Sequence, residues 1–265
     1  MKIHVDALMD YLACPQLHKY RYIQNIDASL THAGRANRHS IMEAYDKALH
    51  KSVASLFHKV QDGFIPDIHL LKRKWGYLWV KPRSEQEDIR FKETSWRDVH
   101  DEKRKQGWDK LRQVFEHYDE AGWGTPIMVD FDYTVRIGSH ILEGRIDLVR
   151  VVQTPERREF IEMTEFLVDE RYAPFVHLRR DWRVTAASYA FRKLMNVKEE
   201  KIVYHGIISG KLVVTERSEE DYRQLEHLLD RIEKAHKEDI FYPEFGERCL
   251  TCPYEKHCEK GWYQC

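Results

Sequence analysis

Four cysteines carry the most specific chemistry in this sequence. Cys249, Cys252 and Cys258 form a C-x2-C-x5-C cluster near one end, and Cys14 stands alone near the other. Proline follows Cys14 and Cys252, as Pro15 and Pro253. Three thiolates cannot close a four-ligand site, so the economical reading brings Cys14 to the cluster around one soft-metal centre. Thiolate ligands suit an iron–sulfur cluster or a zinc ion. The fifth cysteine, Cys265, reads as a spare thiol.

A second set of groups is acidic. Gly144 and Asp147 lie in a stretch that is otherwise apolar, beside Ile146, Leu148 and Val149. A carboxylate on a core-like strand is costly unless something pairs with it. Glu162 falls on the next apolar stretch, and adjacent strands would bring Asp147 and Glu162 to one hard cation, magnesium or manganese. His39, on a preceding helix, would add a nitrogen ligand, which manganese accepts better than magnesium does. Asp130, Asp132 and Glu165 are read as mostly outward-facing acids; taken alone, Asp147 and Glu162 would better suit a solvated pair at a sheet edge, and His39 with the cysteines tips the reading to a metal site.

Composition limits the setting for this chemistry. The 265 residues are 42% hydrophobic and 33% charged, with a formal net charge of −1. That length allows one large domain, 1–265, carrying an insertion. No apolar run approaches a membrane span, and the first residues lack a secretory leader, so a cytoplasmic or nucleoid-associated protein that is neither secreted nor membrane-bound is expected. The near-neutral balance means that nucleic-acid binding would rest on local basic patches. Lys72-Arg73-Lys74 and Lys103-Arg104-Lys105, each near tryptophans, are such patches or else solvated helix faces.

The elements that must position these groups follow from periodicity. Residues 5–23 and 34–58 predict helices, the first interrupted by Pro15, which suits a second helix start. Residues 61–120 predict two or three inserted helices broken at Pro66 and Pro82. From Pro126 the period becomes two. Strands are expected over 127–137 and 140–152, joined by a Gly138-Ser139 hairpin turn, with a third over 159–167. A helix over 177–195, strands over 201–209 and 211–216, and a helix over 219–237 complete an α/β fold with a mixed sheet. Residues 240–265 hold the cysteine cluster that closes onto Cys14.

With these pieces in order, the sequence resembles the PD-(D/E)XK nucleases. Gly34 then His39, Gly144-x-x-Asp147, an acid on the next strand and a helix bearing Tyr189 follow their pattern. The cysteines narrow the resemblance to the iron–sulfur RecB-like branch, which includes CRISPR-associated RecB-like exonucleases and the nuclease domain of AddB. The resemblance implies a restriction-endonuclease-like mixed sheet flanked by helices. It implies a 4Fe-4S cluster on Cys14, Cys249, Cys252 and Cys258, with zinc the alternative. It also implies a metal shell of His39, Asp147 and Glu162 for Mn²⁺ or Mg²⁺, with Tyr189 in the catalytic set. The expected activity is metal-dependent, often exonucleolytic hydrolysis of DNA, preferring single strands or free ends. A helicase or recombination partner in DNA repair and recombination is the expected setting.

Two departures matter. The third motif of the family reads acid-x-Lys, whereas here Thr164 follows Glu162 at that spacing. The family's helix carries glutamine four residues before a tyrosine, and Thr185 stands there instead, before Tyr189. Losing one preorganised cation at a phosphoryl-transfer site costs on the order of 10²–10³ in rate. Arg179, Arg180, Arg183 and Lys193 are candidate replacements, although arginine places its charge differently from lysine. The competing expectation is a catalytically degenerate nuclease-fold protein acting as a nucleic-acid-binding or scaffold subunit.

Overall fold

The computed structural model describes residues 1–26, 33–79, 96–168 and 181–262. They divide into two compact units. The first comprises Met1–Glu43, Thr134–Gly144 and Ser218–Cys265, the second Ala44–Tyr133 and Arg145–Arg217. The stretch 61–120, expected as an insertion, lies within the second unit.

In the first unit, β1 (Lys2–His4) pairs in parallel with the start of β3 (His140–Gln153), Ile3 opposite Leu142. Helix α1 (Val5–Ala13) follows directly, with the His4 ring accepting the Asp6 amide as its cap. The expected helix over 5–23 is broken at Cys14, which is extended at φ −166°, ψ 107°. A residue before proline is pushed out of the helical region, and Pro15 then opens α2 (Pro15–His18) at its first position. A π-helical turn, Lys19–Ile23, completes the stretch. Helix α7 (Glu219–Lys237) has the bounds that periodicity predicts. Ser218 and Asp221 form a capping box, and Tyr222, Leu225, Leu229 and Ile232 make one buried stripe. A 3-10 turn (Glu247–Thr251) and α8 (Glu255–Trp262) follow.

The described residues of the second unit form strands and four further helices. Helix α3 (Ala33–Gln61) enters it at Ala44, and Tyr45, Leu49, Val53 and Phe57, four residues apart, are buried along one side. Helices α4 (Ile68–Leu78) and α5 (Trp96–Ala121) pack through tryptophans. The indole of Trp75 donates to the Arg104 carbonyl, and that of Trp79 donates to the His100 carbonyl. Gly107 is required beneath this contact, because a Cβ there would run into the Trp75 ring. These tryptophans are packing residues, not an open stacking platform. Pro66 does separate α3 from α4, while Pro82 lies outside the described residues.

Strand β2 (Thr125–Ile137) forms a hairpin with β3, turned at Gly138, whose φ of +53° suits glycine. From Leu148 to Gln153, β3 pairs antiparallel with β4 (Glu159–Leu167). β4 pairs in parallel with β5 (Lys201–Gly206), which pairs antiparallel with β6 (Leu212–Thr215). Both last strands are shorter than expected because the chain turns over 207–211, with Gly210 at φ +70°. Helix α6 (Trp182–Met195) begins at Asp181, which caps it, later than the expected start at residue 177. The six described strands make a mixed sheet in the order β1-β3-β4-β5-β6 with β2 on β3, an α/β arrangement that fits a restriction-endonuclease-like fold. No described helix is long and apolar enough to cross a membrane.

Candidate active site and cysteine cavity

Asp147 sits just past the last rung of the β3–β4 ladder, Leu148 opposite Thr164. There its Oδ2 accepts the Phe166 amide at 2.9 Å, so a side chain takes a bond that a ladder would give to backbone. His50, on α3, places Nδ1 3.8 Å from the same oxygen. The Asp147 side chain is only 17% exposed, which makes it a desolvated carboxylate with a mouth to solvent. Burial raises its pKa; His50 and the Phe166 amide oppose this, Asp130 adds to it, and Arg145 opposes it. His50 was not singled out by sequence reasoning. His39 stands eleven residues, about three turns, earlier on α3, and its side chain lies outside the described residues.

Glu162 does not meet Asp147. It is paired across the ladder with Arg150, three residues further along β3. An odd separation puts Asp147 and Arg150 on opposite faces, about 10 Å apart along the strand. Glu162 is instead a buried structural ion. Its Oε1 accepts from Arg150 Nε and Nη2 at 3.1 and 2.8 Å, and its Oε2 lies 3.0 Å from Lys201 Nζ. Burial works to raise the Glu162 pKa, but Arg150 and Lys201 outweigh it and hold the carboxylate below its ordinary range. Arg150 also donates to the Gly122 and Trp123 carbonyls and lies over the Tyr118 ring, 4.7 Å from its centre. Both Glu162 oxygens are thus engaged by cationic side chains.

The acid that follows Asp147 round the site is Glu165. It immediately precedes Phe166, and counting one rung past Leu148–Thr164 brings it level with Asp147. It is half-buried and paired with Tyr204 on β5, not simply outward-facing. Two residues beyond it stands Leu167, so the acid-x-Lys spacing lacks its lysine from Glu165 as well as from Glu162. The β3–β4 turn around residues 154–158 held the signal: a pairing count from Gln153–Glu159 leads to Glu165, not Glu162.

On the neighbouring strand, Asp130 and Asp132 both engage Arg145. Arg145 Nε donates to Asp132 Oδ1 at 2.8 Å and Nη1 donates to Asp130 Oδ1 at 2.7 Å. Asp130 has φ +46°, the left-handed region that a bulge in a strand often uses. Tyr189 is half-buried on α6 with Lys193 Nζ 5.6 Å from its ring centre, which occupies that lysine locally. Thr185, at the expected glutamine position, is buried and accepts from Arg217 Nε at 2.8 Å. Arg183 is exposed on the first turn of α6, and Arg179 and Arg180 lie outside the described residues. Among the described residues, no three His, Cys, Asp or Glu side chains are gathered into a ready-made single-ion site.

In the first unit, Cys14, Cys249, Cys252 and Cys258 line one cavity of about 150 Å³, together with Tyr20 and Tyr254. None of the four is in a disulfide. The elbow at Cys14 is held by the Gln16 amide donating to the Tyr242 carbonyl at 3.1 Å. The Glu244 amide points at Cys14 Sγ (3.4 Å), and the Cys249 thiol points back at the Glu244 carbonyl (3.8 Å). Burial pushes the Cys252 thiol up to about 11; the Tyr254 backbone opposes that, and Cys14, Cys249 and Cys258 reinforce it. Cys265 lies outside the described residues.

A family model described as the PD-(D/E)XK nuclease superfamily matches residues 5–259. No curated protein matches the chain. Among solved structures, one titled "Crystal structure of SSO0001" aligns with 98% of this chain and 86% of that chain. Its identity of 10% and TM-score of 0.36 are too low to add to the family match. Nucleases of the matched superfamily act on nucleic acid with divalent metals such as Mg²⁺ or Mn²⁺. A match from α1 to α8, over a mixed sheet with a desolvated aspartate at the end of its central ladder, makes this chain a member of the PD-(D/E)XK nuclease superfamily.

Proposed function

We propose that this protein is a RecB-like, divalent-metal-dependent nuclease that hydrolyses phosphodiester bonds in DNA, preferring single strands or free ends. The observation that carries the reading is Asp147, a half-buried carboxylate pinned by the Phe166 amide beside Glu165 and His50. Asp147 and Glu165 are the proposed oxygen ligands. His50 or, as the family resemblance implies, His39 is the nitrogen ligand, and the same resemblance puts Tyr189 in the catalytic set. Oxygen donors with one imidazole suit Mn²⁺ or Mg²⁺. A divalent ion bound there supplies an activated water and clamps phosphate oxygens. The protein's own share is to fix the carboxylates on a strand end and to exclude bulk water from Asp147.

We further propose that Cys14, Cys249, Cys252 and Cys258 hold a 4Fe-4S cluster. Four sulfur donors around a cavity fit this group, and zinc is the alternative that the same donors admit. The cluster's role would be to clip distant segments together.

The test is cleavage of end-labelled single-stranded DNA with Mn²⁺ or Mg²⁺, run beside Asp147→Ala, His39→Ala and His50→Ala. Activity that the aspartate variant loses supports the reading, and the two histidine variants identify the nitrogen donor. The absence of a lysine two residues after either Glu162 or Glu165 favours one second reading, a non-catalytic nucleic-acid-binding subunit. It predicts binding of the same oligonucleotide with no cutting in any metal. Anaerobically purified protein should be brown, absorbing near ~400 nm as thiolate-ligated iron does. Colourless protein with stoichiometric zinc would replace the cluster by zinc.

A further inference from the structure

We propose that Arg145 supplies the phosphate-facing cation of this site, in place of the missing motif lysine. The proposal rests on the nuclease reading above, and three observations point to it. First, the β3–β4 ladder ends at Leu148–Thr164; Asp147 and Arg145 follow on β3, and Glu165 and Leu167, the residue at the vacated lysine spacing, follow on β4. A cation lost from β4 is thus matched by one on β3, just past the same ladder end and near enough to bear on the Asp147 charge. Second, Arg145 and Asp147 are two residues apart on one strand, so their side chains leave from the same face.

Third, the guanidinium is oriented and still open. Asp132 takes Nε and Asp130 takes Nη1, while Nη2 has no hydrogen-bond partner among the described residues. The side chain is 46% exposed. An arginine held on one edge by two carboxylates presents its remaining N–H groups in a fixed direction, as recognition of a phosphate oxygen requires. Asp130 and Asp132 are then positioning residues. A surface clip between β2 and β3 would explain the two ion pairs, but not their place two residues from Asp147 on the same face.

The test follows Mn²⁺-dependent cleavage of a labelled single-stranded oligonucleotide and, separately, its binding in Ca²⁺. Arg145→Gln is expected to slow cleavage by about 10²–10³. Arg145→Lys should recover part of that loss, and millimolar guanidine should partly rescue Arg145→Ala. A structural clip would respond to neither rescue. An Arg145→Gln rate within about threefold of wild type overturns the proposal, as does a loss that neither lysine nor guanidine restores. If the wild type cuts nothing, the nuclease reading fails first, and the binding arm decides on Arg145. A salt dependence shallower by about 0.7, one single-strand phosphate contact, in Arg145→Gln supports it. Equal slopes, or no binding by the wild type, overturn it.

Discussion

The cysteine cavity and the Asp147 site fix their groups in opposite ways. The cavity is made on irregular backbone: an extended elbow at Cys14, a 3-10 turn and the first residues of a short helix. Each thiol arrives by its own local geometry, so cysteine positions alone identify the set. The carboxylate site is made on regular strands, where the same residue type recurs on both faces and only the pairing register decides which acid meets which. Rare residues on loops carry their meaning individually, and common residues on strands carry it only relative to a neighbour.

The sharpest way to break this contrast is to remove metals from each region separately. Chelating divalent ions should abolish cleavage and leave the melting temperature unchanged. Oxidative loss of the proposed cluster should lower it by about 10 °C, the shift expected when a structural metal worth several kcal/mol is withdrawn. Equal effects of both treatments on melting would erase the distinction.

Next in size is Glu162→Ala. It strands Arg150, whose side chain is 6% exposed, and loss of one partner from a buried pair costs about 3–5 kcal/mol. Urea unfolding measures this. Mn²⁺ affinity of the folded variant should stay at the wild-type level; a large drop in that affinity would return Glu162 to the metal shell.

A smaller effect comes from His205, which is 2% exposed and contacts the Tyr118 hydroxyl at 3.2 Å. Burial, with His117 and Arg150 adding to it, lowers its pKa from 6.5 to about 4. The native state keeps the ring neutral while the unfolded chain takes up a proton below 6.5. The stability is therefore complete above about pH 6.5 and is lost as pH falls towards 4, by about 3 kcal/mol in all. Unfolding free energies across that window should show this slope, and His205→Gln should flatten it by one proton.

The smallest is Gly138→Ala, at about 1 kcal/mol for an alanine forced to positive φ. The new Cβ meets only the flexible end of Glu226, which can move aside. A much larger loss, seen by thermal melting, would mean that this turn governs the strand register that places Asp147.

Much of the fold was legible in the sequence because its signals are local. Periodicity of two located β2, β3 and β4, and the helix expected over 219–237 matches α7. Strand β1 was missed because three residues are too few to show a period. The break at Cys14 was half-visible, since Pro15 announced a new helix start while the apolar stripe ran on across it. In the site, Asp147 was legible as an acid among apolar neighbours. Glu162 looks the same in sequence, and its partners Arg150 and Lys201 come from strands whose register no single stretch reveals. His50 is hidden for the same reason: nothing near it in sequence distinguishes a histidine beside Asp147 from one that faces solvent.

The tie between the Gln16 amide and the Tyr242 carbonyl, with Tyr254 reaching the Ile26 carbonyl at 3.1 Å, has a temporal side. The Ile26 and Tyr254 partners stand 228 positions apart, with the whole second unit threaded between them. A ribosome delivers the Cys14 elbow before the segment that holds it, so these contacts cannot form until the intervening chain has emerged. The four thiols are therefore brought together by folding over a long loop and not by local chain order.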